Sequence, residues 1–397
     1  MHNKIFISSI FLLISFLTSC GSNSQKNNKN INQSFSLEEK KEVHNLFLTE
    51  YLWYEQVIQD INYETITQPQ ELINALKVTP PDEWSFSMTK KEYEDFVNQK
   101  TAGFGFGYTR DFTLYIVRID APAYNKLFRG DKILKVNNQT VSRESIATAS
   151  SNIGQKTYFT VLRNNEEVTV NVTPSNYTFK VSLGSIILHQ GINIGYLRYD
   201  SFTGSSVTEL EKIFTNFKNA NISELVIDLR YNGGGSIAVA SSLLDNITNQ
   251  YAGQRQGYLD WNDKNKDKNQ NFNFEDLDDR DGNELNMRRV IFLVTKNSAS
   301  ASELIISALK PYLGDNNVIT IGTKTHGKPV GMSGRVYGNN YYFLINFLVR
   351  NNSGETTPFE GIPVTCEADD DLDFHRGDVD GSMLKTALHY VDNNTCP

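Results

Sequence analysis

The run Val290-Ile291-Phe292-Leu293-Val294, with Thr295-Lys296-Asn297-Ser298-Ala299-Ser300-Ala301-Ser302-Glu303 after it, constrains the fold more than any other part of the chain. Five consecutive β-prone apolar residues cannot alternate between core and water. The strand they form must be covered on both faces, as in a parallel sheet flanked by helices. Leu304, Ile305, Ala308 and Leu309 then recur at helical spacing. The segment predicts strand, tight turn and helix. A serine in such a turn has its hydroxyl near a helix N-terminus, where free N–H groups can stabilise an oxyanion, and this makes Ser300 a candidate nucleophile. Ser300 with Glu303 three residues later is also the pattern of a capping box, which needs no catalysis.

The rest of the C-terminal region keeps the same alternation. Ile192 to Tyr199 predicts a strand, Ser206 to Phe217 a helix and Leu225-Val226-Ile227 a strand. Asp228-Leu229-Arg230-Tyr231-Asn232-Gly233-Gly234-Gly235-Ser236 forms a loop before a helix over Val239 to Ile247. Glycines between strand and helix suit an anion, but the run has neither a Gly-x-Gly-x-x-Gly pattern nor a Gly-Lys-Ser/Thr ending, so it supports an oxyanion hole better than a nucleotide. Val318-Ile319-Thr320-Ile321 predicts the next strand, followed by Thr325-His326-Gly327-Lys328. A serine hydroxyl needs a base, and His326 and Lys328 leave the sheet at the same end as Ser300. A lysine serves only where burial lowers its pKa. A hairpin is expected around Val336-Tyr337 and Tyr341 to Val349, and a last helix over Met383 to Val391.

Residues 259–285 are polar and acidic, and Asp263-Lys264-Asn265-Lys266-Asp267 resembles the start of a calcium loop. Lys268 stands where that loop needs glycine and Phe274 where it needs glutamate, so a solvated insertion at the rim of the site is the expectation. With a net charge of −8 and the acidic residues spread out apart from one cluster, nothing suggests a nucleic-acid footprint.

Upstream the texture differs. Ser36-Leu37-Glu38-Glu39 is a capping box for an amphipathic helix carrying Val43, Leu46, Phe47, Tyr51 and Leu52, and helices are also expected near Gln70 to Lys77 and Lys90 to Gln99. From Thr101, short strands take over: Gly103-Phe104-Gly105-Phe106-Gly107-Tyr108, Leu114 to Val117, Gly130-Asp131-Lys132-Ile133-Leu134-Lys135-Val136-Asn137, and a hairpin of Tyr158 to Arg163 with Glu167 to Val172. This stretch resembles a PDZ domain. The resemblance implies that backbone N–H groups near Gly105 and Phe106 receive a terminal carboxylate while an extended peptide adds to the sheet edge.

At the N-terminus, Lys4, the apolar Ile5 to Leu17 and Leu17-Thr18-Ser19-Cys20 have the form of a secretory signal. The ending resembles a bacterial lipobox, which implies diacylation of Cys20, a lipid-anchored protein of the bacterial cell envelope and contact with a membrane. Gly21 to Gln33 then serves as a tether. Cys366 and Cys396 remain, either bonded to each other or as two thiols.

Taken in order, Asp228-Leu229-Arg230-x-Asn232-x-Gly234-Gly235, Ser298-Ala299-Ser300-Ala301-Ser302-Glu303 and Thr325-x-Gly327-Lys328 resemble the motifs of the carboxy-terminal-processing, or tail-specific, serine peptidases. The resemblance implies a multidomain α+β chain: signal peptide 1–19, tether 20–35, a small N-terminal helical region 36–100, a PDZ domain 101–178, and an α/β catalytic domain of the ClpP/crotonase type, 179–397. It further implies an endopeptidase without metal or cofactor, acting on proteins with apolar C-termini. Ser300 would be the nucleophile, Lys328 the base, and the N–H groups of Ala301 and Gly234 the oxyanion hole. Many members carry a glutamine at the position of Met332, which orients the lysine. Its absence motivates the alternative of an inactive lipid-anchored scaffold that only binds peptides, and leaves His326 as a possible assistant.

Overall fold

The computed structural model describes residues 35–276 and 284–397. The leader, Cys20 and the tether up to residue 34 lie outside the described residues. No helix among the described residues is long and apolar enough to cross a membrane.

A six-stranded sheet organises the C-terminal half, in the order Ser182–His189, Ile192–Tyr199, Glu224–Asp228, Val290–Val294, Val318–Gly322, Cys366–Glu367. All neighbours run parallel except the first pair. The strand Val290–Val294 is buried along its whole length, as five unbroken apolar residues require. One face packs against the helices Ser206–Asn219, Ile237–Ile247 and Ala301–Leu313 through Phe214, Leu243, Leu244, Ile305 and Leu309. The other is covered by the helix Ser382–Asn393 through Met383, Leu384 and Ala387. Because three adjacent strands are parallel, the loops after Asp228, Val294 and Gly322 leave the same edge side by side.

The region before residue 100 is not a separate helical unit. Its helices Leu37–Thr49 and Pro69–Leu76 bury Val43, Phe47, Leu72 and Ile73 in a core shared with Val330, Met332, Phe343 and Ile345. The strand Phe86–Thr89 pairs antiparallel with Asn340–Phe343. The shared sheet also contains the hairpin Val330–Tyr337 and Asn340–Asn351. Two short helices cannot enclose a core alone, so they borrow the hairpin's apolar face.

The insertion expected to be solvated is likewise part of the core. Arg255–Trp261 pairs with Phe347–Asn351, and Gln270–Asn273 pairs with it in turn. Leu259, Trp261 and Phe274 are buried. Between those strands, Asn262 donates to the carbonyls of Thr49 and Tyr51 and so ties the segment to the first helix. Three apolar residues at the edges of a polar run decide its position, while Asp263 and Asp267 between them remain in solvent.

Residues 104–172 have a core of their own, with Phe104, Leu114, Leu127, Ile133, Phe159 and Val161 buried under a four-stranded sheet and the helix Arg143–Ser151. This unit is fastened to the α/β unit by Arg129. Its guanidinium donates to Tyr231 Oη and Asp370 Oδ1, both at 2.5 Å, and to the Phe374 carbonyl at 3.0 Å. Cys366 and Cys396 form a disulfide, with Cα atoms 5.5 Å apart.

Candidate active site

The turn between strand and helix contains three serines, and their hydroxyls have different surroundings. Ser298 Oγ donates to the Leu229 carbonyl at 2.7 Å and accepts from Thr295 N–H. Ser302 Oγ donates to the Asn232 carbonyl at 2.8 Å. Both therefore hold the turn against the glycine loop. Ser300, only 3 % exposed, has an Oγ with no hydrogen-bond partner among the described residues. A buried hydroxyl without a partner carries a desolvation cost of about 1–3 kcal/mol, so it calls for an explanation.

Ser300 precedes the helix Ala301–Leu313 with φ 66° and ψ −114°, a conformation few residues other than glycine adopt. Half of the expected capping box survives: Glu303 accepts from Ser300 N–H at 2.7 Å, while Ser300 Oγ accepts nothing in return.

Glu303 does more than cap. Fully buried, its carboxylate also accepts from Thr325 Oγ1 at 2.6 Å, Gly327 N–H at 2.7 Å and Lys328 N–H at 2.9 Å. One side chain thus fixes the serine turn to the lysine loop. The capping pattern pointed to Glu303, but nothing local in the sequence disclosed its grip on a loop more than twenty residues away.

Lys328 is 4 % exposed and lines the same cleft as Ser300 and Ala301. Burial pushes its amine down to about 7, against the opposing influence of the Asp82 and Glu303 carboxylates. Such a lysine is largely neutral just above neutrality and can accept a proton. The cleft walls are mostly apolar, formed by Ile237, Leu304, Pro329 and Val349. His326 is half-buried, and its Nε2 accepts from the indole N–H of Trp84 at 3.3 Å.

The glycine loop lies directly against the serine. A Cβ built on Gly234, whose φ is +108°, would come within 2.9 Å of Ser300 Cβ and 3.1 Å of Ala301 N. The Gly234 N–H itself points at Asn232 Oδ1, 2.9 Å away. Asn232 is fully buried; its side chain donates to the Tyr199 carbonyl, and its own carbonyl accepts from Ala299 N–H and Ser302 Oγ. Below the loop, burial would raise the Asp228 carboxyl, but the Arg230 and Arg376 guanidiniums outweigh it and hold the group well below the usual carboxylate range. The loop therefore stands on a charged, hydrogen-bonded base.

Gly105 and Phe106 lie in the 104–172 unit, away from this cleft. Gly105 has φ +84°, and a Cβ there would meet Ala121 Cβ at 2.1 Å. The Phe106 ring stacks on Phe104 at 5.6 Å and meets Phe159 edge-on at 5.7 Å. Its backbone pairs with Val117.

Residues 193–365 match the model of peptidase family S41. A probable CtpA-like serine protease of Staphylococcus saprophyticus is 24% identical over 308 residues, which is 71% of this chain and 58% of that protein. A carboxyl-terminal-processing protease of Picosynechococcus is 27% identical over 214 residues, 49% of this chain and 47% of the relative. The chain thus spans only about half the length of these relatives. Among solved structures, a putative S41 protease from Bacteroides fragilis superposes with a TM-score of 0.77 at 21% identity, covering 94% of this chain and all of that one. The α/β peptidase fold is shared.

Proposed function

We propose, from the S41 match over residues 193–365, that the chain is a serine endopeptidase of the carboxy-terminal-processing type, with Ser300 as nucleophile and Lys328 as general base. The observation that carries this reading is the buried, unpartnered Ser300 Oγ in one cleft with a lysine pushed down to about 7. Neutral Lys328 takes the hydroxyl proton as Oγ attacks the peptide carbonyl carbon. The oxyanion forms beside the Ala301 N–H, the first of its helix. The lysine ammonium returns the proton to the leaving amine, which departs and leaves an acyl-enzyme. A water molecule, deprotonated by the same amine, then releases the new C-terminus. The second oxyanion donor belongs to the Gly233–Gly235 run; Gly234 supplies it by sharing an N–H that also serves Asn232 Oδ1.

Ile237, Leu304, Pro329 and Val349 suit an apolar side chain next to the scissile bond. The 104–172 unit, with Gly105 and Phe106, is proposed as a PDZ domain that holds an apolar C-terminus. Cys20 is proposed as the lipid anchor that places the enzyme at the bacterial envelope membrane. The reaction uses only protein groups.

The test is incubation of the mature chain with an unfolded protein ending in apolar residues, beside Ser300→Ala and Lys328→Ala. Wild type should cleave, with each variant slower by ~10³-fold or more. Cleavage by Ser300→Ala at the wild-type rate would overturn the assignment, and absence of cleavage by all three would favour a scaffold. The kcat/KM of wild type should rise with pH through about 7, as Lys328 loses its proton.

A further inference from the structure

A turn far outside the family-matched segment reaches the base. Asp82, Glu83 and Trp84 link the second helix to the strand Phe86–Thr89, well before residue 193, where the family match begins. Asp82 is fully buried. Its Oδ1 accepts from the N–H groups of Trp84 and Ser85, each at 2.9 Å, and its Oδ2 accepts from Tyr51 Oη at 2.8 Å and Ser85 Oγ at 2.5 Å. Ser85 Oγ in turn accepts from Ile345 N–H, so the turn is sewn to the hairpin that follows the lysine. Its rigidity serves Trp84. The Lys328 amine lies 5.8 Å from the centre of the Trp84 ring, within cation–π range, while the indole N–H holds His326 Nε2 at 3.3 Å. Phe359 lies on the same tryptophan, with ring centres 6.3 Å apart.

Met332 accounts for the need for such a device. It is fully buried in the core shared with Val43, Phe47 and Tyr51 of the N-terminal helices. A polar side chain there would be left in that apolar core, so this position offers the lysine no orienting hydrogen bond.

We propose that the Asp82–Trp84 turn is the positioning element of Lys328, its indole face and carboxylate orienting and shielding the amine in place of the glutamine of the resembled family. This rests on Lys328 being the base. The N-terminal region then completes the active site. The charged groups acting on the amine are Asp82 from this turn and Glu303 from the Ser300 helix; Arg350 lines the same cleft, and His326 on the lysine's own loop is held aside by Trp84.

The full mature chain is compared with Asp82→Asn, Trp84→Phe, Trp84→Ala and Lys328→Ala. The rate of cleavage and the rate of reaction with a fluorophosphonate are each measured against pH, with the unfolding midpoint recorded at every pH. Asparagine fits at Asp82 because the Tyr51 and Ser85 hydroxyls can turn from donating to accepting. It removes a negative charge that favours the ammonium, so the acid limb should move to lower pH by about half a unit or more. Trp84→Ala admits water to the amine and should move the limb to higher pH, with kcat falling ~10-fold and KM changing less. Trp84→Phe keeps the wall and should lie closer to wild type. If Trp84→Ala does not fold, Asp82→Asn and Trp84→Phe decide the matter. Limbs that stay where the wild-type limb is, whatever happens to the midpoints, overturn the proposal and leave the turn a purely structural element. If Lys328→Ala keeps the wild-type rate and profile, it is the base assignment that fails.

Discussion

Lys328 stores a cost in the folded state that the proposed chemistry requires. An exposed lysine titrates near 10.5, whereas burial brings Lys328 down to about 7. Between those values the unfolded chain binds the extra proton and the folded chain does not, so stability rises with pH across that window. Below about 7 the whole penalty is present. Lys328→Met keeps the apolar stem and removes the amine, and it should stabilise the fold by a few kcal/mol at pH 6 while abolishing cleavage. The advantage should shrink as denaturant unfolding is repeated towards pH 10. A gain that does not vary with pH would show that the amine is not held neutral. Ser300 was visible in the sequence as the serine three residues before Glu303, but its hydrogen-bonding isolation was not. That depends on Ser298 and Ser302 being claimed by carbonyls of a loop about seventy residues away.

At the level of elements, one carboxylate couples a helix to a loop. Glu303 accepts four hydrogen bonds, from Ser300, Thr325, Gly327 and Lys328. Glu303→Gln would bring an amide NH₂ against backbone donors that cannot reverse. The substitution should lower the unfolding free energy by about 2–4 kcal/mol and cut kcat ~100-fold, with KM less affected. Denaturant unfolding and steady-state cleavage measure the two effects; a variant as active as wild type would show that the clamp does not set the geometry. Elements with strong periodicity were legible, among them Ile192–Tyr199 and the hairpin around the 338–339 turn. Others were hidden. Phe86–Thr89 alternates apolar and polar over only four residues, too few to predict a strand, and becomes one through pairing with Asn340–Phe343. Leu259, Trp261 and Phe274 are too sparse within a polar run to predict the strands they anchor. Partners supplied by tertiary structure decided these cases.

Across the whole molecule, long-range ties close the fold. The disulfide joins the short edge strand Cys366–Glu367 to the chain's end, across 30 residues that include the helix covering one face of the main sheet. Closing a loop of that length contributes about 3–4 kcal/mol. A reductant should therefore lower the thermal midpoint of the wild type and leave a Cys396→Ser variant unmoved; equal shifts in both would place the sensitivity elsewhere. The pairing was one of two readings the sequence allowed, because two cysteines in an expected secretory context do not fix a distance.

The pairing of residues 86–89 with 340–343 also sets a timetable. A ribosome delivers the Asp82 turn long before Lys328, Ser300 shortly before it, and the hairpin strand that seats the turn after it. Each earlier intermediate has the proposed nucleophile without its proposed base, or that base without its wall. On the proposed assignment, the dyad is complete only once the hairpin strand has emerged and paired.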